Sequence, residues 1–270
     1  MSNTKYDTPE LAERYDRISD SQFEKGSLLL EKMGLRKGDM VLDVGCGTGR
    51  LALHASGIVG TSGKVFGLDP SPPRVRIAED KLKDLALDNV RFMKGQGEDL
   101  CLFSDNIFDY VYYSSVFHWI EDKRTALKEA YRVLKPGGRV GMTTGDRDNS
   151  FTLRAITNEL IAREPYRDRV KADDDASKPV TKGELRELLA ESGFVDVEID
   201  QKETKRYYAT PKEAFEFSEA SSFGNALMHI PESLRAQAME DIAVQLEKRR
   251  TPSGIELLSG SLFAIAVKPI

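Results

Sequence analysis

The chain has 270 residues and a formal net charge of −5 at pH 7, with 40% hydrophobic and 31% charged residues. These are the proportions of an ordinary globular protein, and the negative balance argues against broad nucleic-acid binding, which needs a positive surface to release phosphate counterions. Two cysteines, Cys46 and Cys101, exclude a disulfide framework and a cysteine-based metal cluster.

A reducing, cytoplasmic setting is therefore expected. No apolar run approaches the ~20 residues of a membrane span, and "MSNTKYDTPE" lacks the basic-then-apolar layout of a secretory signal. Helix and strand signals alternate along the first half, the mark of a parallel doubly wound sheet. "SQFEKGSLLLEKMG" opens with a capping box from Ser21 to Glu24 and closes at Gly34, so it is a helix. Then follow a strand over 40–44, a helix from about 48 to 56, a strand over 64–68, a helix over 74–86 and a strand over 90–94. After a loop come a strand over 108–113, a helix over 122–134 stopped by Pro136 and Gly137, and a strand over 139–144.

Beyond 145 the rhythm breaks. "FTLRAITNELIARE" is helical, 165–180 is a polar loop, and Thr181 and Glu184 cap a helix that ends at Gly193. "VDVEID" alternates Val195, Val197 and Ile199 with acids, so one strand face is wet, which suits antiparallel pairing. The segment 211–250 is helical, with Thr210 as cap and Pro211 in its first turn; its second part sets Leu234, Ala238, Ile242 and Leu246 on one face. A strand over 255–267 ends the chain. "KRR" at 248–250, and Lys202, Lys205 and Arg206, read as solvated surface. The expected organisation is N-terminal cap helices over 1–35, a core over 36–145, a cap segment over 146–180, core again over 181–206, a helical lid over 207–253 and a last core strand over 254–270.

"MVLDVGCGTGR", residues 40–50, runs strand into Gly45, Gly47 and Gly49, which let backbone turn tightly and approach a ligand. The third glycine comes one residue early for a dinucleotide fingerprint, and Arg50 takes its place. Asp69 closes "VFGLD", where a carboxylate accepts from both hydroxyls of a ribose. Asp43, ahead of the glycines, favours a cationic ligand over a pyrophosphate. A Tyr-x-x-x-Lys at Tyr131 and Lys135 reads as helix surface and packing.

Together "VLDVGCGTG", "GLD", "FDYVYYSSVFHW" and "VLKPGGRV" resemble a class I methyltransferase using S-adenosylmethionine, of the methyltransferase-11/25-like small-molecule group. The resemblance is close over about 36–145 and loose over the C-terminal strands. It implies an α/β, Rossmann-like, seven-stranded and mostly parallel sheet with an antiparallel last strand and a helical cap. It places Asp43, Gly45, Cys46, Gly47, Gly49 and Ser114 around the methionine moiety, Asp69 on the ribose and Pro70 beside the adenine. Gln96, Gly97 and Glu98 form the adenine turn, with Gln96 where an acid is common.

Methyl transfer displaces a neutral leaving group, so alignment and at times a base suffice. His118, after the fourth strand, is the candidate base. Tyr15, Phe117, Trp119, Arg147 and His229 are candidate substrate contacts, and Arg147 or Arg154 would pair an acidic substrate's carboxylate. Asp148 and Asn149 lack a third ligand, so no metal is expected. The expected partner is a small-molecule acceptor, a carboxylate or another O or N nucleophile, with neither nucleic acid nor membrane involved and the oligomeric state open. The alternatives are a methyltransferase acting on protein or RNA, and a non-catalytic nucleotide-binding module.

Overall fold

Two helices lead into the sheet of the computed structural model, which describes residues 4, 7–169, 177–224, 226–228 and 230–270. Helix α1 (Pro9–Ile18) is capped by Thr8, whose hydroxyl accepts from Leu11 N–H. Helix α2 (Asp20–Met33) starts after Ser19 and ends at Gly34, whose φ of 74° fits a left-handed cap. The expected Ser21–Glu24 capping box does not form: the helix begins one residue before Ser21, and that hydroxyl instead bonds Gln22.

Strands and helices then alternate as β1 (Met40–Val44), α3 (Arg50–Val59), β2 (Lys64–Asp69), α4 (Pro72–Leu85), β3 (Val90–Lys94) and β4 (Phe108–Ser114). They continue as α5 (Lys123–Val133), β5 (Leu134–Gly145), α6 (Thr152–Ile161), α7 (Lys182–Glu191) and β6 (Val195–Tyr208). Last come α8 (Pro211–Ser221), α9 (Glu232–Glu247), β7 (Arg250–Thr251) and β8 (Gly254–Val267). The spatial order is β3, β2, β1, β4, β5, β8, β6, with neighbours parallel from β3 to β5 and β8 antiparallel to both of its neighbours. The sheet is thus mostly parallel with an antiparallel last strand, but it has eight strands rather than seven, because the two-residue β7 pairs with the start of β8.

Three sequence expectations shift. "KPGG" is a bulge inside β5, not a turn before it: Phe108 pairs with Leu134, then Tyr110 with Arg139, and Gly137 takes a φ of 78°. Strand β6 runs eight residues beyond "VDVEID", and a register shift near its start leaves Val195 exposed while Ile199 is buried. The 211–250 helix is two helices, because Pro231 enters α9 with an extended φ and ψ of −53° and 139°.

Alternation in β1 divides the core. Leu42 and Val44 pack with Leu68, Tyr113 and Met142 on the side of α5 and α7. Val41 packs with Val65, Tyr112, Leu29 and Met33 on the side of α2 and α3. A third cluster joins Leu153, Phe215 and Ile230 to Ile255 and Leu257 of β8, and it takes in the expected α9 stripe Leu234, Ala238, Ile242 and Leu246. This cluster sits where β6 and β8 outrun β5: Glu203–Tyr208 pairs only with Ile255–Gly260, as a two-stranded ribbon.

One residue ties these layers together. Arg74, in the first turn of α4, places Nε 2.8 Å from Asp7 Oδ2 with both side chains essentially dry (3% and 0% exposed). Its Nη2 donates to Ala220 O of α8 at 2.8 Å, and its guanidinium lies 4.3 Å from the Tyr15 ring centroid and 4.0 Å from that of Phe223. Removing one partner of a buried pair leaves the other charge stranded. Arg74→Met should therefore lower the unfolding free energy by about 3–5 kcal/mol. Lys83→Met, which removes the exposed pair to Asp80, should change it by at most about 0.5 kcal/mol; urea midpoints of the two variants test this.

Candidate functional site

The carboxyl end of β1 turns through Gly45 and Gly47, at φ of 80° and 54°. A side chain at Gly45 would overlap Val116, so the turn needs glycine for space as well as for conformation. Gly45 and Cys46 both donate backbone N–H to Leu68 O, locking the loop against β2. Arg50 holds the N-terminal helices over this loop, bonding Asp16 O, Ser19 Oγ and Asp20.

Two buried carboxyls stand beside the turn. Asp69 Oδ2 accepts from Gly47 N–H at 2.9 Å and Oδ1 from Ser71 N–H at 2.8 Å. Asp43 Oδ2 accepts from the Tyr112 hydroxyl at 2.8 Å, while its buried Oδ1 has no hydrogen-bond partner. Burial pushes Asp43 up to about 8, opposed by the Tyr112 bond and aided by the Asp69 charge. Burial likewise raises Asp69 above the usual carboxylate range, against the pull of Arg74.

A cavity of about 290 Å³ opens over these groups, walled by Gly45, Gly47, Asp69, Pro70, Gln96, Gly97, Glu98 and Ser114. Gly97 is pressed against Val44, Ile120 and Tyr113, where a Cβ would fall 3.0–3.2 Å from each. Asp43 and Cys46 line a small adjoining pocket with Tyr15 and Arg50. Gly49 lines neither: a Cβ there would meet Phe92 and Ala78 at 2.7 and 2.8 Å, so this glycine serves the packing of α3 on the sheet.

A second cavity of about 240 Å³ adjoins the first, and Tyr15, Ser115, Trp119 and Ser221 belong to the walls of both. Its far wall is built from the third core cluster, with Phe151, Leu153, Phe215 and Phe217. His118 lines it, but not as a ready base. Its Nδ1 accepts Gly145 N–H at 3.3 Å, with the Thr144 hydroxyl also 3.3 Å away, which leaves the ring proton on Nε2. Burial, then the charges of Arg154, Lys123 and Lys25, bring it down to about 3, so the ring is neutral and offers a donor.

The other expected contacts divide. Trp119 and Tyr15 line the cavity, whereas Phe117 is fully buried in the main core against Tyr113. Arg147 turns outward to Glu184 at 2.5 Å, and Arg154 is the arginine that reaches the cavity wall. His229 lies outside the described residues. Asn149 donates to Asp146 at 2.8 Å, and among the described residues no three His, Cys, Asp or Glu side chains are grouped to hold a metal ion.

Two cavity residues escaped the sequence reading. Lys25 lies one turn from Ser21 and one turn from Leu29 on α2, a cation within that helix's inward stripe. Arg206, read as surface, is half-buried in the same wall, in phase with Thr204 and buried Tyr208 on β6. Helical and strand phase were the available signals.

A methyltransferase-domain family model matches residues 42–142. Demethylmenaquinone methyltransferase from Geobacillus kaustophilus (strain HTA426) is 33% identical over 182 residues, 63% of this chain and 77% of that protein. Its namesake from Staphylococcus aureus (strain JH9) is 37% identical over 205 residues, 70% of this chain and 83% of that protein. The chain belongs to the class I S-adenosylmethionine-dependent methyltransferases. Solved structures share the fold. The YcgJ protein of Bacillus subtilis superposes with a TM-score of 0.65 at 18% identity, covering 92% of this chain and 99% of that one. Phosphoethanolamine N-methyltransferase 2 of Haemonchus contortus, solved with phosphomonomethylethanolamine and S-adenosylhomocysteine, gives 0.59 at 20% identity, over 92% of this chain and 53% of that one.

The methyltransferase's donor is S-adenosylmethionine, and the residues fit it. The molecule is cationic at its sulfonium and amino groups, and the turn presents a buried carboxyl oxygen without a partner and a glycine cradle that a side chain would fill. The raised Asp43 carboxyl also has a consequence for the ligand-free methyltransferase. Its neutral form supports folding fully below 3.8, and that support is lost as pH rises through about 8. Between pH 5 and pH 8 the Tm of the wild type should therefore fall more than that of Asp43→Asn, whose amide never ionises. Equal falls would mean that the carboxyl ionises at an ordinary pH.

Proposed function

We propose that the methyltransferase carries the cofactor's methyl group to an O or N atom of a small molecule seated in the second cavity. The observation that supports this most is the shared wall: Tyr15, Ser115, Trp119 and Ser221 bound both cavities, so two ligands would meet there face to face. The cofactor supplies an electrophilic methyl on a sulfonium and departs as a neutral thioether, so the protein need only align, desolvate and orient. Asp69 would take the ribose: each oxygen already accepts one N–H and retains a lone pair for a hydroxyl. Pro70, Gln96, Gly97 and Glu98 would flank the adenine, and Asp43, Gly45, Cys46, Gly47 and Ser114 the methionine end.

In this reading His118 orients the acceptor through Nε2–H and Trp119 closes the wall, with the acceptor atom arriving already deprotonated or as a neutral amine. The lid is the α8–α9 insertion, and the reaction runs in the cytoplasm, consistent with the two free cysteines. Among the described residues no helix is long and apolar enough to cross a membrane. A pocket of about 240 Å³ favours a low-mass acceptor over a protein or RNA.

The test is incubation with methyl-labelled cofactor and a cell extract split into low-mass and macromolecular fractions. Label in the low-mass fraction is expected; label confined to macromolecules would overturn the proposal. Asp69→Ala serves as control. Losing a buried, charge-assisted hydrogen bond of about 1.5–3 kcal/mol should weaken S-adenosylhomocysteine binding about ten-fold or more, read by calorimetry.

A further inference from the structure

Lys25 and Arg206 reach the second cavity from opposite elements, α2 and β6. Lys25 Nζ donates to the Ser261 hydroxyl at 2.8 Å. Arg206 donates through Nη2 to Ser21, one helical turn before Lys25, and its guanidinium lies 4.3 Å from the Phe217 ring centroid. Its Nε is buried with no partner. Neither cation pairs with a carboxylate among the described residues: their partners are two serine hydroxyls and an aromatic face.

The acid nearest to hand is already committed. Asp146 lines the same cavity, but it accepts from Asp148 N–H at 3.0 Å, Asn149 Nδ2 at 2.8 Å and Gln201 Nε2 at 3.1 Å. A third cation, Arg154 of α6, enters the wall and donates to Ser177 O at 2.6 Å. The cavity is thus cationic at its α2–β6 end, while α6 and α8 line it with Phe151, Leu153, Phe215 and Phe217 beside the single cation Arg154. Burial, and Arg206 beside it, draw Lys25 down to about 8, the mark of a cation with too little water and no counter-charge. Two half-buried like charges beside one another cost free energy unless something negative joins them.

We propose, resting on the small-molecule reading above, that the acceptor is an organic acid whose carboxylate sits on Lys25 and Arg206 while its apolar body lies along Phe215 and Phe217. This assigns specificity to two residues outside the glycine turn and the ribose site. It sets the acceptor apart from a neutral ring compound, for which the two cations would only be a penalty.

The experiment is calorimetric titration of the full chain, saturated with S-adenosylhomocysteine, with octanoate and with 3-phenylpropanoate, each against its neutral amide. At least one acid should bind ten-fold or more tightly than its amide. Lys25→Met and Arg206→Gln should each remove most of that preference, while Lys205→Met, at an exposed lysine paired with Glu256 away from the cavity wall, should keep it. S-adenosylhomocysteine affinity, measured first on every variant, reports whether the fold and cofactor site are intact; if Lys25→Met loses it, Arg206→Gln and the wild type still decide. Equal affinity for acid and amide, or no acid binding, in a wild type that binds S-adenosylhomocysteine overturns the anionic acceptor. A wild type that fails to bind S-adenosylhomocysteine instead breaks the reading beneath it.

Discussion

A guanidinium without water must spend its donors on protein, and Arg74 spends them on segments that are far apart in the chain. Asp7 before α1, Ala220 in α8, and the rings of Tyr15 and Phe223 all close on it. Because α4 follows directly on the strand that ends in Asp69, the residue that gathers the cover is fastened to the wall of the first cavity. The segment before α1, the α8 end and the turn from Asp69 into α4 therefore hold one another in place through a single desolvated charge.

The two cavities carry opposite local character despite a modest net charge. Asp43 and Asp69 crowd one end of the parallel strands, where burial makes each a reluctant carboxylate. Lys25, Arg154 and Arg206 crowd the other side of the shared wall, where burial first, and then the charges of Arg154, Lys123 and Lys25, keep His118 neutral. A cationic donor and an anionic acceptor would each relieve the charge on its own side, and the sulfonium would then face electron density rather than another positive group.

How far the residues foretold this depended on the range of the interaction. Gly45, Gly47 and Asp69 were legible because their demands are local: a positive φ, a close approach, a carboxylate at a strand end. The α9 stripe and the Thr181 capping box were legible for the same reason. Phe117 and Gly49 looked like ligand contacts from their motif neighbours, yet each faces a packing partner that only the folded sheet supplies. Arg147 and Arg206 exchanged roles because whether an arginine meets Glu184 or a cavity depends on elements tens of residues away. Ser21 failed as a cap because the helix began earlier, and its hydroxyl was free to serve Arg206 instead.

The ribbon formed by the outer halves of β6 and β8 has a further consequence. Its inner half is bound to β5 and shares the main core, while its outer half belongs wholly to the cap cluster. A change in α9 or at the ribbon tip alters packing around Ile255 and Leu257 and leaves the pairing of Ser261–Val267 with β5 in place. The ribbon thus lets the cap cluster vary in its packing while the inner halves of β6 and β8 keep their places beside β5.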